Sequence, residues 1–465
     1  MIDYSKLGFK AGLEVHQQLE THKLFCSCPS IVHDDNPSIN FKRKLRAVAG
    51  ETGEVDLAAA FEQNKDKTFV YDACPTSSCM VEFDEEPPHE VNNEALDIVL
   101  EVALLLNCKI VEQIHFMRKT VVDGSNVSGF QRTALVGVDG FIETSKGKVK
   151  VSSVCLEEEA AKKVEDHYRL DRLGVALVEI ATDPDIKDAD HAKEAASIIG
   201  MILRSTGKVK RGIGTIRQDV NVSIKGKERV EVKGFQDLRS IPVVIDNEIM
   251  RQQSLSKSVP EVRKAEPDGS TTFLRPMPGA ARMYPETDIV PIEITDSKLK
   301  TIKLPELLTE KAIKLEKKFN LNADLAKELI KEDIDIESYV KQFSKIDVKL
   351  LATILTAYPK DLKSRLNLDS SKLTKEHYFE IFTLLNKGEI SKEAVIELMA
   401  DAASGKKIDA SRFKNVSEDS LKKELEKIVA KNKGASLNAL MGEAMKHFRG
   451  KADGQRIMEI LKTLI

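Results

Sequence analysis

A glutamate and a histidine stand two residues apart in a segment whose polar and apolar residues alternate. If FKAGLEVHQQLE, residues 9 to 20, forms a β-strand, Leu13 and Val15 face one way and Glu14 and His16 the other. A carboxylate beside an imidazole is a suitable donor pair for a divalent cation. A solvated polar strand face has the same appearance, so the pair by itself leaves both interpretations open.

Three consecutive acids, Glu157, Glu158 and Glu159, follow a second alternating segment, KVKVSSVC. Adjacent carboxylates resist joint ionisation unless water solvates them or a cation lies opposite. These acids are therefore further candidate ligands for the same cation.

Three other polar groups interrupt strand-like segments, and each sets arginines beside acids or amides. They are residues 123–126 with 129–132, residues 217–221, and residues 275–288. Cations for a transferring phosphoryl group and acids that hold Mg²⁺ are what a phosphate-transfer site requires. A turn-rich surface has the same composition, so spacing does not decide between the two. The candidate catalytic residues in the last two groups are Arg217, Asp219, Arg282 and Glu286.

Four of the six cysteines form two close pairs, Cys26 with Cys28 and Cys74 with Cys79. Four thiolates can close a tetrahedral Zn²⁺ site, which predicts a structural zinc. The spacings CxC and CxxxxC are looser than the usual CxxC, and buried free thiols are the competing interpretation. Cys108 and Cys155 are expected in the core.

The sequence lacks two motifs, and their absence limits how ATP could be bound and which reactions the chain could catalyse alone. There is no GxxxxGK[ST], so bound ATP is not expected in a P-loop. There is no GxSxG nucleophile elbow, and no other evident machinery for hydrolysing an amide to ammonia.

Length and composition predict a soluble protein of two or three domains. The chain has 465 residues, 42% of them hydrophobic and 31% charged. Its longest apolar stretch, residues 95–108, contains Asp97 and Glu101 and is expected to be a buried helix, with no membrane span. The N-terminal residues lack the apolar region of a signal peptide, which predicts a cytoplasmic protein.

Strand-like segments dominate up to about residue 295, and helical periodicity dominates after it. The predicted fold class is therefore α+β, with a largely antiparallel sheet in residues 1–295 and helices in residues 296–403 and 404–465. Residues 296–465 hold 33 Lys and Arg against 27 Asp and Glu, whereas the remainder is acidic. This asymmetry is compatible with a nucleic-acid-binding C-terminal part, and equally with ordinary solvated helices.

Taken together, the motifs resemble the B/E family of glutamyl-tRNA(Gln) amidotransferase subunits across nearly the whole chain. The resemblance is carried by GLEVHQQLETHKLFCSCPS, EFDEEPPHEVN, RKTVVDGSNVSGFQRTALV, CLEEEAAKK, RLGVALVEIATDPDI, IGTIRQDVNVSI, EVKGFQDLRSIP, RPMPGAARMYPETDI and RGKADG. Within the family, DGSNVSGFQRT, KGFQDL and PGAARMYPETD are similar to the E-type member found in archaea.

The resemblance implies a catalytic "cradle" domain related to glutamine synthetase in residues 1–295, then a helical domain and a YqeY-like tail. It implies phosphorylation of the glutamyl γ-carboxylate on tRNA(Gln) by ATP and amidation by ammonia from an asparaginase-like D subunit, in a heterotetramer. The implied Mg²⁺ ligands are Glu14, His16, Glu157 and Glu158, with Glu143 as an addition, and the two cysteine pairs coincide with zinc ligands of many B-type subunits. The implied tRNA contacts in the tail are Arg449 and Lys451.

One departure from the E-type pattern concerns an inserted domain similar to part of aspartyl-tRNA synthetase. At its expected position this chain has only QQSLSKSVPE, residues 252–261, so tRNA(Gln) is not expected to be selected in the usual way. The alternatives are a B-type protein that also uses Asp-tRNA(Asn), a non-catalytic tRNA-binding homologue, and a ligase acting on free glutamate. The presence of Glu14, His16 and the acids at Glu157 argues against a non-catalytic homologue. The YqeY-like tail argues against a ligase acting on free glutamate.

Overall fold

The computed structural model describes residues 2–33, 37–51, 53–235, 237–413, 418–432, 434–448 and 454–464. The chain divides into two compact units, Met1–Leu307 and Leu308–Ile465.

The first unit contains all seventeen strands found in the described residues, and most belong to one large sheet. The strands are β1 (Lys10–Gln18), β2 (Ile39–Arg43), β3 (Phe69–Ala73), β4 (Lys109–Ile110), β5 (Gln113–Ile114), β6 (Phe116–Thr120), β7 (Phe130–Thr144), β8 (Gly147–Glu158), β9 (Lys162–Val164), β10 (His167–Arg169), β11 (Ala176–Thr182), β12 (Ile216–Ser223), β13 (Val230–Phe235), β14 (Glu261–Ala265), β15 (Thr271–Pro276), β16 (Met283–Pro285) and β17 (Ile292–Glu293).

The large sheet runs in the order β15-β14-β13-β12-β1-β11-β8-β7-β6-β16, with β4 paired to β7. Its pairs are antiparallel except β13 with β14, which run parallel. A four-stranded sheet, β2-β3-β10-β9, and the pair β17-β5 complete the strands. The α+β class and the largely antiparallel sheet predicted for this part of the chain are confirmed.

Helices cover one face of the large sheet because their apolar residues, and those of alternate strand positions, can be buried only against each other. The helices of this unit are α1 (Leu57–Gln63), α2 (Asn93–Leu105), α3 (Ala189–Ser205), α4 (Ser240–Ser254) and α5 (Asp296–Thr301). Leu13 and Val15 of β1 are almost fully buried in this core together with α2, α3 and α4. Glu14 and His16, on the opposite face of β1, are thereby directed away from it.

The described residues of the second unit form helices joined by turns and loops, with no strand among them. It comprises α6 (Leu308–Phe319), α7 (Ala323–Lys331), α8 (Ile336–Gln342), α9 (Val348–Thr356), α10 (Tyr358–Leu366), α11 (Lys375–Asn386), α12 (Lys392–Ala403), α13 (Glu418–Lys431), α14 (Leu437–Phe448) and α15 (Gly454–Leu464).

Two separate apolar clusters stabilise the second unit. One gathers buried residues from Leu321 to Phe413, and the other gathers residues of α13, α14 and α15 from Leu421 to Leu461. The predicted boundary between residues 403 and 404 remains a prediction.

Among the described residues, no helix combines the length and the apolar character that crossing a membrane requires.

Candidate active site and metal centres

An imidazole and three carboxylates meet on the face of the large sheet that is not covered by the core helices. In the antiparallel pair of β1 and β11, His16 lies opposite Glu179. His16 Nε2 is 3.1 Å from Glu179 Oε2, 3.4 Å from Glu14 Oε1 and 4.0 Å from Glu157 Oε2. The structure thus brings together the predicted residues Glu14, His16 and Glu157 and adds Glu179, which the sequence analysis missed.

A buried lysine of β6 forms ion pairs with two of these carboxylates. Lys119 Nζ donates to Glu157 Oε1 at 2.6 Å and to Glu179 Oε2 at 3.3 Å. Because Glu157 is fully buried, its charge requires a partner, and Lys119 supplies one.

The group has strongly perturbed acid–base properties. Burial, followed by the charge of Glu179, raises the pKa of Glu14 to about 7. Burial opposes the positive form of His16, but the hydrogen bond to Glu179 and the nearby carboxylates outweigh it and raise the pKa of His16 to about 9. Two neighbouring groups that titrate away from their usual ranges are typical of functional sites.

A second acidic group adjoins the first and shares Glu14 with it. Asp219 lies opposite Glu14 in the β1–β12 pair, and Glu231 projects from the next strand, β13. Lys233 Nζ lies 2.7 Å from Asp219 Oδ2 and 2.5 Å from Glu231 Oε1. The predicted residue Asp219 therefore belongs to the site, whereas Glu231 and Lys233 were not predicted.

Both groups offer a ligand set that suits a hard divalent cation. Glu14, His16 and Glu179 each direct one donor atom within 4.8 Å of the others, and so do Glu14, Asp219 and Glu231. Carboxylate oxygens with at most one imidazole are the donors of Mg²⁺ and Mn²⁺ sites. His16 Nδ1 is buried without a hydrogen-bond partner in the described structure, so its ring is not fixed by a second contact. The residues present fit such a cation.

Glu158 lies on the other face of β8 from Glu157, because successive side chains of a strand alternate. It accepts hydrogen bonds from the Arg132 backbone N–H at 2.9 Å and from its guanidinium. Arg132 Nε also donates to Glu286 at 2.7 Å, and Arg118 donates to Glu286 at 2.6 Å. The structure therefore separates the predicted residues Glu158 and Glu286 from the cation groups and joins them in a buried ion-pair network.

Of the two predicted arginines beside the acidic groups, Arg217 forms an ion pair and, among the described residues, Arg282 does not. Both terminal nitrogens of Arg217 donate to Glu159, at 2.6 and 3.0 Å. Burial opposes ionisation of Glu159, but Arg217 outweighs it and lowers the pKa to about 2. Arg282 donates to the Thr120 carbonyl at 3.3 Å and has no ion-pair partner within the described ranges.

Arg282 lies close enough to the first acidic group to interact with it electrostatically. Burial, then the charge of Arg275, lowers its pKa, whereas Glu157 and other acids oppose that shift. Arg282 also reduces the rise in the pKa of Lys119. A partly buried guanidinium without its own carboxylate partner can bind a phosphate.

Glu143 is not brought to either acidic group. It pairs with Lys148, at 3.4 Å, across the β7–β8 hairpin, and its side chain is 65% exposed. Thr133, not Glu143, lies opposite Glu157 in that pair, and ten residues of extended strand span roughly 33 Å.

Three cysteines and a glutamate form a second candidate metal centre. Cys26, Cys28, Cys79 and Glu82 each contribute one donor atom, all within 4.8 Å of one another. Cys26 Sγ donates to Glu82 Oε1 at 3.0 Å, and burial raises the pKa of Cys79 to about 11. Three thiolates and one carboxylate are a suitable tetrahedral ligand set for Zn²⁺.

Cys74, the fourth predicted zinc ligand, lies outside this group. Its Sγ is 3.7 Å from the guanidinium of Arg169, which also pairs with Asp171 at 2.8 Å. The structure brings Glu82 to the position expected for Cys74. All six cysteines are free thiols, as expected for a metal site or buried thiols.

Arg449 and Lys451, the predicted tRNA contacts of the tail, lie outside the described residues.

Most residues that the sequence analysis missed had a usable local signal. Glu179 is the single acid in the apolar segment ALVEIAT, and Glu231 and Lys233 occupy alternate positions of VEVKGF, so the acid and the polar face were both readable. Glu82 follows Cys79 in CMVEFDEE, where several acids compete for the same assignment.

Comparison with known proteins gives two family matches. The family model described as the GatB/GatE catalytic domain matches residues 9–300, and the model described as the GatB domain matches residues 334–465.

Several curated relatives align over almost their full length, and each is named as the E subunit of glutamyl-tRNA(Gln) amidotransferase. The protein of Methanocaldococcus jannaschii is 38% identical, with 99% of this chain and 99% of the relative covered. The protein of Methanococcus maripaludis strain S2 is 37% identical, with 99% and 98% covered. That of Methanosarcina acetivorans is 36% identical, with 100% and 98% covered.

The alignments also reveal a difference in length. The alignment with the Methanococcus maripaludis protein spans 622 positions, whereas this chain has 465 residues. At least 157 positions of that relative therefore stand opposite gaps, as expected if the chain lacks an inserted domain.

Proposed function

The chain belongs to the GatB/GatE family, and we propose that it uses ATP to activate glutamate carried by tRNA(Gln), so that ammonia can convert it to glutamine. The observation that carries this proposal is the pair of acidic groups that share Glu14, with Arg282 beside them. Oxygen ligands for divalent cations next to an unpaired arginine are what a phosphoryl-transfer site requires.

The roles of the side chains follow from their positions. Glu14, His16, Glu157 and Glu179 would hold one Mg²⁺, and Asp219 and Glu231 would hold a second with Glu14. The bound cations would neutralise the charge of the ATP phosphates and of the transferring phosphoryl group. Because phosphorylation turns the glutamyl γ-carboxylate into an acyl phosphate with a good leaving group, ammonia can then attack the carbonyl carbon and release phosphate.

Two cationic side chains would act on the phosphates directly. Arg282 has no carboxylate partner among the described residues and can donate to a phosphoryl oxygen. The Lys119 ammonium pairs with Glu157 and Glu179. If a divalent cation were bound to these carboxylates, the ammonium would be free to donate to a substrate oxygen.

Ammonia has to come from a partner, because the sequence has no evident amidase machinery. We assign that role to an asparaginase-like D subunit, in a heterotetramer, and we assign the complex to the cytoplasm. The helical unit and its basic tail would bind the tRNA body, with Arg449 and Lys451 on phosphates. Cys26, Cys28, Cys79 and Glu82 would hold a structural Zn²⁺, since four protein ligands leave no open coordination position.

The test is transfer of the ATP γ-phosphate to each of three acceptors: Glu-tRNA(Gln), Asp-tRNA(Asn) and free glutamate. We expect transfer to Glu-tRNA(Gln) in the presence of Mg²⁺, and conversion to Gln-tRNA(Gln) only when an amidase partner and glutamine, or free ammonia, are added. Transfer to free glutamate alone would identify a ligase of the glutamine synthetase type. Transfer to both aminoacyl-tRNAs would identify B-type specificity. No transfer, with tRNA binding intact, would identify a non-catalytic homologue.

A further inference from the structure

The loop that leads into β12 exposes an isoleucine almost completely. Ile213 is 98% exposed, and the next most exposed large apolar side chain in the described part of the chain, Val290, is 81% exposed. An isoleucine in this position forgoes the free energy that its burial would contribute. A single exposed apolar residue is common on protein surfaces and does not by itself indicate a binding site. The residues around Ile213 therefore have to show whether it binds a partner.

Glycines on both sides hold Ile213 at the tip of the loop. Gly212 has a φ of +117° and Gly214 a φ of +83°, values that residues with a side chain rarely adopt. A Cβ added at Gly212 or Gly214 would have no atom of the described residues within 4 Å, so there is space for a side chain at both positions. Glycine is favoured there because of the backbone conformation.

The base of the loop is fixed to β1. The Lys210 N–H donates to the Gln18 carbonyl, and the Gln18 N–H donates to the Thr215 carbonyl, both at 2.9 Å. The side chain of Gln17 donates to the carbonyls of Lys210 and Thr215, at 3.0 and 3.1 Å. A loop whose ends are held this firmly presents its tip in a defined position.

Two arginines near this loop have no carboxylate partner among the described residues. Arg204 lies in the last turn of α3, and Arg211 precedes Gly212. Both are exposed, and within the described ranges neither forms an ion pair. They are close enough that, after partial desolvation, the charge of Arg211 also lowers the pKa of Arg204. Neighbouring guanidinium groups that lack a carboxylate partner favour binding of an anion.

The loop also adjoins the acidic groups. Gln17 and Gln18 directly follow His16 on β1, and Arg217, which lies opposite His16 in the β1–β12 pair, comes two residues after Thr215. Gln18 also donates to Glu159 at 3.1 Å. The tip therefore projects from the end of the two strands that carry part of the candidate active site.

We propose that Ile213, Arg204 and Arg211 form a contact for the single-stranded 3′ end of the aminoacylated RNA. The inference rests on the proposed function: if the amino acid enters the acidic site, the nucleotides attached to it must pass its rim. The arginines bind phosphates there, and the isoleucine packs against the face of a base. Apolar side chains packed against bases, with arginines on the neighbouring phosphates, are a recurrent arrangement in nucleic-acid binding.

The experiment measures binding of the full-length protein to two uncharged RNAs, intact tRNA(Gln) and the same RNA without its single-stranded 3′ nucleotides. Ile213→Ser should weaken binding of the intact RNA about five- to tenfold and leave binding of the shortened RNA unchanged. Ile213→Leu should bind like wild type. Arg211→Gln should weaken binding and reduce the dependence of log K on log salt by about one. Val290→Ser is the matched control and should have no effect.

Equal binding of intact RNA by wild type, Ile213→Ser and Arg211→Gln would overturn the inference. A loss of binding to the amidase partner in Ile213→Ser, with RNA binding unchanged, would also overturn it and identify the loop as a protein interface. Failure of the proposed function is distinguishable, because it would appear in the wild-type protein as absent phosphoryl transfer to Glu-tRNA(Gln).

Discussion

His16 Nε2 lies 3.1 Å from Glu179 Oε2, although 163 residues separate the two in the sequence. The contact exists because β1 and β11 are antiparallel neighbours with these residues directly opposite each other. Glu179 also accepts from Lys119, at 3.3 Å, so it joins the imidazole to the ammonium that balances Glu157. Glu179 is therefore at the centre of the first acidic group.

Glu179→Gln should reduce γ-phosphate transfer to Glu-tRNA(Gln) by about a hundredfold or more, because it removes one charged cation ligand while preserving side-chain size. His16→Ala should abolish transfer and leave tRNA binding largely intact. Glu143→Gln, a change at an exposed acid remote from the site, is the matched control and should behave like wild type. Near-normal transfer by the His16 variant would show that this group does not bind the catalytic cation.

Binding of Mg²⁺ should release protons in a pH-dependent way. Glu14 has a pKa of about 7 and His16 of about 9 in the cation-free protein, and both must be deprotonated to act as ligands. Calorimetric titration in buffers of different ionisation enthalpy should find close to two protons released at pH 6 and about one at pH 8. His16→Gln should release about one proton fewer at both pH values. Release that does not vary with pH would refute this assignment.

The raised pKa of His16 also affects folding stability. The usual pKa of 6.5 applies to the unfolded chain and about 9 to the folded one, so the folded state binds the proton more tightly. The stabilisation is complete below pH 6.5 and is lost as pH rises towards 9. In urea unfolding without Mg²⁺, the free energy of unfolding of the wild type relative to His16→Gln should therefore fall between pH 6.5 and 9.

Zinc content should depend on Glu82 and not on Cys74. Cys74→Ser should retain about one zinc per chain, whereas Cys79→Ser and Glu82→Gln should bind it more weakly, since they remove ligands from the group Cys26, Cys28, Cys79 and Glu82. The measurement is metal analysis after dialysis against a mild chelator. Loss of zinc in Cys74→Ser with retention in Glu82→Gln would restore the arrangement predicted from the cysteine spacing.

Glu286 should contribute strongly to stability. It accepts from both Arg118 and Arg132, and its side chain is fully buried, so Glu286→Gln leaves two guanidinium groups short of charge compensation. We expect a loss of about 3 kcal/mol in the free energy of unfolding, measured with urea. Asp288→Asn, at an exposed partner of Arg118, should cost less than about 1 kcal/mol. Equal effects of the two substitutions would contradict the view that burial makes the difference.

Removal of the tail should raise KM for Glu-tRNA(Gln) more than it lowers kcat. Residues 405–465 hold 14 Lys and Arg against 8 Asp and Glu, and residues from Leu421 to Leu461 form an apolar cluster of their own. Because Phe413 packs into the preceding cluster, the truncation should end after it. Arg449→Gln and Lys451→Gln should each reduce the salt dependence of tRNA binding. A folded truncated protein with unchanged affinity and salt dependence would show that the tail only packs.

Local sequence patterns determined the elements of this protein well. Alternation in FKAGLEVHQQLE predicted β1, and the buried helix expected in residues 95–108 is found at Asn93–Leu105. Polar groups at Glu14, His16 and Asp219 were recognisable because side-chain direction in a strand depends only on its neighbours in sequence. The resemblance to the B/E family is confirmed for the same reason, since its motifs are contiguous.

The partners of those residues were decided only by the tertiary structure. Glu179, Lys119 and Glu231 reach the site through strand pairings between distant segments, which a single sequence does not specify. The fourth candidate zinc ligand is Glu82 and not Cys74, because the two predicted cysteine pairs do not converge. Successive side chains of a strand point to opposite faces of the sheet, so Glu157 contacts Lys119 and Glu158 contacts Arg132. Which residues lie on each face is determined only by the order of the strands in the sheet.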